Sequence, residues 1–474
     1  MTLPEAFTEQ TRSLMGCELY DRLRAALAEE PPVSIRTNAA KLRGRVAGGE
    51  AVPWCGGGFY LAGRPAFTFD PLLHAGWYYV QEASSMFLDR VLRQWVTDAA
   101  LMLDLCAAPG GKSTCALGAL PPGSALVCNE PVRQRAAVLA ENIQKWGRPE
   151  VMVTNNLPKD FARSGLAFDV VLCDVPCSGE GMFRKDEAAI GEWSAQGVER
   201  CAALQRQIVS LAWQCLRPGG LLVYSTCTFN ARENEENVAW ICSELGAELL
   251  PVCTDADWAI SGSLSPAVTG PVYRFLPGLT RGEGLFMAAM RKGGDGEPCL
   301  AAPRRKGRRE AKPGKGSQTA EWLLHPEGFD TFTAADSMVA VPKCIAPAYE
   351  TAARRLRIVH AGVTLGTAKG RDIVPSQSLA LSTGLRREAF PTVELTYRQA
   401  IAYLRREQIA LPCGTPRGFV LATYGGAALG FAKNIGPRAN NLYPQEWRIK
   451  STHTPDDDAR PQVIDTAWAP GTRT

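Results

Sequence analysis

Leu101-Met102-Leu103-Asp104-Leu105-Cys106-Ala107-Ala108-Pro109-Gly110-Gly111-Lys112-Ser113 decides the fold. An apolar run reads as a buried strand, and the glycine turn after it opens a helix. Glycines at such a turn let a ligand approach the backbone, and a helix N-terminus favours negative groups. The turn is not a Walker A loop, which needs G-x-x-x-x-G-K-[ST]. It is not a dinucleotide fingerprint either, because G-x-G-x-x-G is missing.

Working outward, further apolar runs stand at Ala125 to Asn129, Val170 to Asp174, Leu221 to Tyr224 and Leu285 to Met290. Between them, Val132, Ala136, Leu139, Ile143 and Trp146 recur at helical spacing, as do Leu204, Ile208, Leu211 and Cys215. Arg217-Pro218-Gly219-Gly220 stops the second helix. Alternating strand and helix signals predict a parallel sheet with helices on both faces, an α/β Rossmann-like domain. Glu130 ends the second strand, where a carboxylate typically holds ribose hydroxyls. One glycine turn plus a ribose acid, without phosphate-cradling spacing, suits S-adenosylmethionine. The plainer reading is a tight β–α turn followed by a surface glutamate.

Two cysteines follow strand ends. Cys177 lies in Asp174-Val175-Pro176-Cys177-Ser178-Gly179, and Cys227 in Ser225-Thr226-Cys227-Thr228. Ligands of open α/β sheets bind outside the carboxyl ends of the strands. Two thiols at two such ends point to covalent chemistry beside a bound cofactor. The plainer reading makes each an ordinary small core residue.

The chain has 474 residues, 46% of them hydrophobic, enough for several domains. Its formal net charge of +4, from 52 Lys+Arg and 48 Asp+Glu, permits a polyanionic partner without demanding one. Fifteen cysteines without a secretory signal read as reduced thiols in a cytoplasmic protein. No C-x-x-C pair occurs and histidines number 4, so no metal site is expected. No apolar run is long enough to predict a membrane span.

The organisation divides as 1–95, an N-terminal domain; 96–292, the domain of alternating strands and helices; 293–319, a basic linker; 320–390, a small intermediate domain; and 391–474, a C-terminal domain. Ser84 or Ser85 is expected to cap a helix leading into Met86-Phe87-Leu88. The linker carries Pro303-Arg304-Arg305-Lys306-Gly307-Arg308-Arg309, a solvated tether or a phosphate contact. Gly425-Gly426, between two β-like runs, predicts a hairpin, and the loop around Arg438 and Asn441 offers donors to RNA.

Cys106-Ala107-Ala108-Pro109-Gly110-Gly111-Lys112, Asp174-Val175-Pro176-Cys177-Ser178-Gly179 and Ser225-Thr226-Cys227-Thr228 resemble, in order and spacing, the Nop/Sun family of RNA cytosine-5 methyltransferases. The likeness runs from about residue 34 to 292. Gly179-Glu180-Gly181-Met182-Phe183 and the tail from Gly430 to Trp447 resemble its bacterial branch. That branch methylates small-subunit ribosomal RNA and carries a C-terminal PUA-like domain. The resemblance implies catalysis in 96–292, RNA binding or substrate positioning in 1–95, and PUA-like RNA binding in 391–474. It implies S-adenosylmethionine held by Cys106 to Lys112, Glu130 and Asp174. It also implies a monomer acting on ribosomal RNA, alone or within the small subunit.

A Pro-Cys pair alone would make Cys177 the nucleophile, as in DNA cytosine-5 methyltransferases. The resemblance instead makes Cys227 the nucleophile on cytosine C6, with Cys177 helping to remove the C5 proton. Asp174 would hydrogen-bond the base and Pro176 would shape its pocket. Leu157 departs from the pattern, standing where the family often has an acid that contacts adenine; an apolar contact, a backbone contact and compensation by Asp160 all stay open. Two other readings stay open: the same enzyme acting on transfer RNA, and a non-catalytic RNA-binding or ribosome-assembly factor. The intact set Asp174, Cys177 and Cys227 argues against the second.

Overall fold

The computed structural model describes residues 2–297, 299, 317–334, 336–370, 372–453, 456 and 460–467. The basic run Pro303 to Arg309 lies outside the described residues.

The centre is one sheet. Its strands are β1 (Leu101–Asp104), β2 (Ala125–Asn129), β3 (Val151–Thr154), β4 (Phe168–Asp174), β5 (Leu216–Thr226), β6 (Ala247–Leu250), β7 (Leu285–Lys292) and β8 (Ile358–Ala361). The order across it is β6-β7-β5-β4-β1-β2-β3-β8, and the short strand Tyr273–Phe275 pairs with β7. β1 to β5 are mutually parallel. The expected last strand is present, but it inserts antiparallel between β5 and β6 rather than extending the parallel set. The order reverses between β1 and β4, and an open sheet leaves its ligand crevice at that switch point.

Each parallel strand is apolar on both sides because both faces are covered. Met102, Leu126, Val153, Val170 and Val223 enter one core with Leu139 and Ile143 of helix Arg133–Trp146. Their neighbours Leu103, Val127, Met152, Val171 and Leu222 enter another, with Ile208, Val209 and Ala212 of helix Ala195–Cys215.

Two expected stripes need correction. Val132 is 50% exposed and stands just ahead of its helix, whereas Ala136, Leu139, Ile143 and Trp146 are buried. Leu204 is 43% exposed, and the buried face of its helix passes through Gln205 instead. A glutamine tolerates that place because its amide is fully used: Nε2 donates to Pro176 O and Glu233 Oε2, and Oε1 accepts from Tyr224 and Asn237. Ser84 and Ser85 cap no helix with their side chains. The Glu82 carboxylate accepts from both of their N–H groups instead.

The flanking parts do not keep to themselves. Near the N-terminus, Val33–Thr37, Glu50–Ala51, Gly58–Leu61 and Tyr78–Val80 form a four-stranded sheet. Its Ile35, Leu61 and Tyr78 share one apolar core with Val393, Ile401, Tyr403, Leu429 and Ile464. Arg45–Val46 pairs with Ile464–Asp465, joining both ends of the chain. The hairpin expected around Gly425-Gly426 joins Gly418–Tyr424 to Ala427–Asn434. β8, from the segment after 320, pairs antiparallel with β3 and covers an edge that would otherwise offer unpaired backbone groups.

Candidate active site

Asp104 ends β1, Asp174 ends β4 and Thr226 ends β5, so neighbouring strands deliver their loops to one crevice. Cys177 Sγ and Cys227 Sγ lie 3.3 Å apart. Asp174 Oδ2 lies 2.9 Å from Lys112 Nζ, and its Oδ1 accepts from Ser225 Oγ at 2.6 Å. Lys112, expected to serve the cofactor, reaches Asp174, which is expected to serve it too, because the first turn of its helix faces the end of β4.

The two cysteine loops are braced by buried carboxylates that the sequence reading did not single out. Glu233 accepts from Ser178 N at 3.0 Å and from Asn230 Nδ2 at 2.9 Å. Glu180 accepts from Phe229 N and Asn230 N, both on the Cys227 side, and from Trp193 Nε1. Ser178 Oγ and Thr228 Oγ1 close the brace at 2.8 Å. The only sequence signal for this was Glu180 inside a Gly-Glu-Gly turn; Glu233 looks like an ordinary helix-start acid.

This geometry differentiates the thiols. The Cys177 thiol donates toward Cys227 and so lowers its pKa, and the Lys112 ammonium acts in the same direction, against burial and Asp174. Cys177 is pushed up, first by that same hydrogen bond and then by burial. Lys112 itself rises because Asp174 outweighs its desolvation.

The glycine turn is built from both sides. Gly110 takes φ 113°, a left-handed value that glycine adopts without strain, and Gly111 begins helix Gly111–Ala119. Ala107 N donates to Asn129 O, Ala108 O accepts from Arg135, and Pro109 O accepts from Asn142. Cys106 is half-buried and its thiol is raised by burial, so it stays neutral. From the N-terminal sheet, Arg36 reaches Gln81 Oε1 at 2.8 Å and Thr114 Oγ1 at 2.6 Å, fixing the helix that follows the turn.

Glu130 is 1% exposed rather than on the surface, accepting from Val132 N with Arg135 at 3.5 Å. Pro176 is exposed at the mouth, its carbonyl held by Gln205. Leu157 is 47% exposed. Asp160 Oδ2 accepts from Leu157 N at the start of its own helix. Asn441, expected to face RNA, turns inward: Nδ2 donates to Tyr403 O and Glu407 O. Arg438 remains exposed beside Arg417 in a cavity of the C-terminal part.

One atom tests the cofactor directly. Asp104 Oδ1 is buried without a hydrogen-bond partner, while Oδ2 accepts from Ser113. Burial raises this carboxyl to about 7. A buried acceptor at the switch point, beside a glycine turn and a buried strand-end glutamate, fits a cofactor with an amino-acid ammonium at one end and a ribose in its middle.

The fold and this site define an S-adenosylmethionine-dependent methyltransferase. Residues 94–291 match the family model for 16S rRNA methyltransferase RsmB/F. Residues 3–83 match the N-terminal domain of 16S rRNA methyltransferase RsmF, and 390–449 the methyltransferase RsmF PUA domain. The chain belongs to the 16S rRNA methyltransferase RsmB/F family.

Ribosomal RNA small subunit methyltransferase F of Klebsiella pneumoniae (strain 342) is 30% identical over 468 residues, 94% of this chain and 96% of that one. The protein of the same name from Salmonella heidelberg (strain SL476) is 32% identical over 478 residues, with 94% and 96% covered. Among solved structures, a methyltransferase homolog protein from Pyrococcus horikoshii aligns with TM-score 0.52 and 25% identity, over 61% of this chain and 95% of that one. NSun6 from the same organism, solved with SFG, shares the fold at TM-score 0.52 and 20% identity, over 62% and 99%.

No described helix is long and apolar enough to cross a membrane.

Proposed function

We propose that the protein methylates C5 of a cytosine in 16S ribosomal RNA through a covalent bond between Cys227 Sγ and cytosine C6. The observation that carries this reading is the pair of thiols 3.3 Å apart at the ends of adjacent parallel strands, beside the Lys112–Asp174 pair. S-adenosylmethionine supplies an electrophilic methyl group, which cytosine C5 is too weak a nucleophile to take up unaided. Nucleophilic catalysis removes that obstacle by dividing one hard step into easier ones.

The Cys227 thiolate adds to C6, and the C5=C6 electron pair moves toward C5 and the ring. Asp174, positioned by Lys112 and Ser225, hydrogen-bonds cytosine N3 and its exocyclic amine and so offsets the charge that develops on addition. Once C5 carries both methyl and hydrogen, Cys177 helps to remove the C5 proton, which passes to solvent. The electron pair re-forms C5=C6 and expels Cys227. Cys106 to Gly111, Glu130 and Asp104 hold the cofactor. Pro176 borders the base, which must be extruded from its stack at a cost of about a few kcal/mol.

The test is transfer of labelled methyl to 16S ribosomal RNA, followed by bisulfite sequencing. Cys227→Ala abolishes transfer. Cys177→Ala accumulates a protein–RNA adduct that survives a denaturing gel. Wild-type activity in Cys227→Ala overturns the assignment, and an adduct that depends on Cys177 reverses the two roles. Methylation of transfer RNA with ribosomal RNA untouched would replace the substrate.

A further inference from the structure

A second cationic site lies away from the crevice. Three parts of the chain meet at a cavity of about 370 Å³: residues 40–43 and 75–77, residues 380–388, and the hairpin residues 426–428. Lys41, Arg43 and Arg387 line it, with the Ser382 and Thr383 hydroxyls; Glu388 is the one acid among its walls.

The cations are poorly neutralised. Lys41 Nζ donates to Ala75 O at 2.9 Å and Lys145 O at 2.6 Å, leaving one of its three N–H groups. Arg387 donates to Gly426 O, and Arg43 to its own neighbour Leu42 O. Carbonyl groups near a helix C-terminus explain why one cation settles at Lys145. They do not explain why a second, Arg387, is brought up from a distant part of the chain. Burial first, and the Arg387 charge after it, lower Lys41 to about 7.

Gly147 makes room for the arrangement. A Cβ there would come within 2.6 Å of Lys41 Cε and 2.2 Å of Leu381 O. Thr383 N donates to Gly147 O, locking the 380–388 segment against the helix end.

We propose that this cavity binds a backbone phosphate of the RNA substrate, an inference that rests on the RNA-methyltransferase reading above. Helix Arg133–Trp146 ties the two places together. Its first turn touches Ala108 O in the cofactor turn, and its last residues carry the Lys41 contact. At about 1.5 Å per residue, the separation along the helix is roughly 15 Å. The phosphate held here therefore lies roughly 15 Å from the cofactor turn, on RNA outside the base pocket. Guanidinium groups suit it, since they meet phosphate oxygens two at a time. Because the site is assembled from the N-terminal, intermediate and C-terminal parts, phosphate binding reads out their correct docking.

The experiment uses the full chain and a 16S ribosomal RNA transcript. Arg43 and Arg387 are exposed, so the double variant R43Q/R387Q keeps the core intact. Affinity is measured across a salt series, alongside methyl transfer at saturating RNA. The variant binds about tenfold more weakly, and its slope of log affinity against log salt falls by about 1, while kcat is unchanged. K41M, with folding verified by its melting curve, weakens binding in the same direction. Unchanged affinity and slope in R43Q/R387Q overturn the site while leaving the enzyme assignment standing. Weakened binding in the variant, with no methylation by the wild type, upholds the site and sinks that assignment. A wild-type chain that does not bind 16S RNA overturns both.

Discussion

Cys177 Sγ sits 3.3 Å from Cys227 Sγ, although 50 positions separate them in the chain. The contact exists because β4 and β5 are neighbours in register, with Ser225 beside Asp174. At that distance one thiol serves as hydrogen-bond donor to the other as thiolate. The two cannot be treated as independent groups.

The first prediction concerns that donor. Removing it in Cys177→Ala returns Cys227 toward an ordinary thiol. The pH profile for alkylation of Cys227 by iodoacetamide, followed by peptide mass spectrometry, moves up by about one unit. An unmoved profile would mean that Lys112 alone sets the thiolate.

Asp104 carries a pH signature. Its carboxyl titrates at about 7 in the fold against an ordinary value of 3.8. The folded state thus holds this proton more tightly. The group's contribution to stability is fully present below about pH 4 and is lost as pH rises through about 7. Asp104→Asn removes that loss, so its melting temperature exceeds the wild type's by a few degrees at pH 8 and matches it near pH 4. The variant also binds S-adenosylmethionine more weakly by calorimetry, because the cofactor loses a charged acceptor.

The buried pair Arg274–Glu235 supports the Cys227 loop from below. Both side chains are essentially inaccessible, and Arg274 also donates to Phe229 O. Arg274→Ala leaves Glu235 charged and unpaired inside the protein. We expect a loss of about 3–5 kcal/mol in urea unfolding. A loss below about 1 kcal/mol would show that water reaches the site.

Gln205 tests the brace behind Cys177. Gln205→Leu keeps the volume but leaves Pro176 O without its donor and takes one hydrogen bond each from Glu233 and the Tyr224 hydroxyl, which keep their other partners. An unsatisfied buried group costs about 1–3 kcal/mol. The denaturation midpoint drops and kcat falls about tenfold as the Cys177 loop loses its position. A change in midpoint with kcat unaltered would confine Gln205 to packing.

Residues 1–292 by themselves should not form a sound domain. The fragment exposes Ile35, Leu61 and Tyr78 where the C-terminal core was, and uncovers the β3 edge normally paired with β8. Light scattering and thermal melting of the purified fragment check this. A monodisperse fragment melting as high as the whole chain would contradict it.

Much of the centre was legible from local pattern. The apolar runs at 101–105, 125–129, 170–174 and 221–224 are strands because a parallel sheet buries both faces and so writes itself as uninterrupted hydrophobic residues. The glycine turn was legible because few other sequences permit that backbone beside a ligand. The helix through Gln205 was misread by one position: a fully hydrogen-bonded amide can occupy a core face that hydropathy assigns to leucine. Asn441 reads as an RNA contact because short polar side chains in loops look alike in sequence, whether they face solvent or satisfy their own backbone.

The sequence by itself determined the strand–turn–helix order, the glycine turn and the two strand-end cysteines, since periodicity and backbone permissiveness act over a few residues. Only the tertiary structure decided that Lys112 would pair with Asp174 and that Glu180 and Glu233 would clamp the cysteine loops. It alone decided that the two ends of the chain would share a core and close a cationic cavity. These contacts join residues far apart along the chain, and the free energy that selects them comes from burying surfaces and pairing charges that meet only after the sheet has formed.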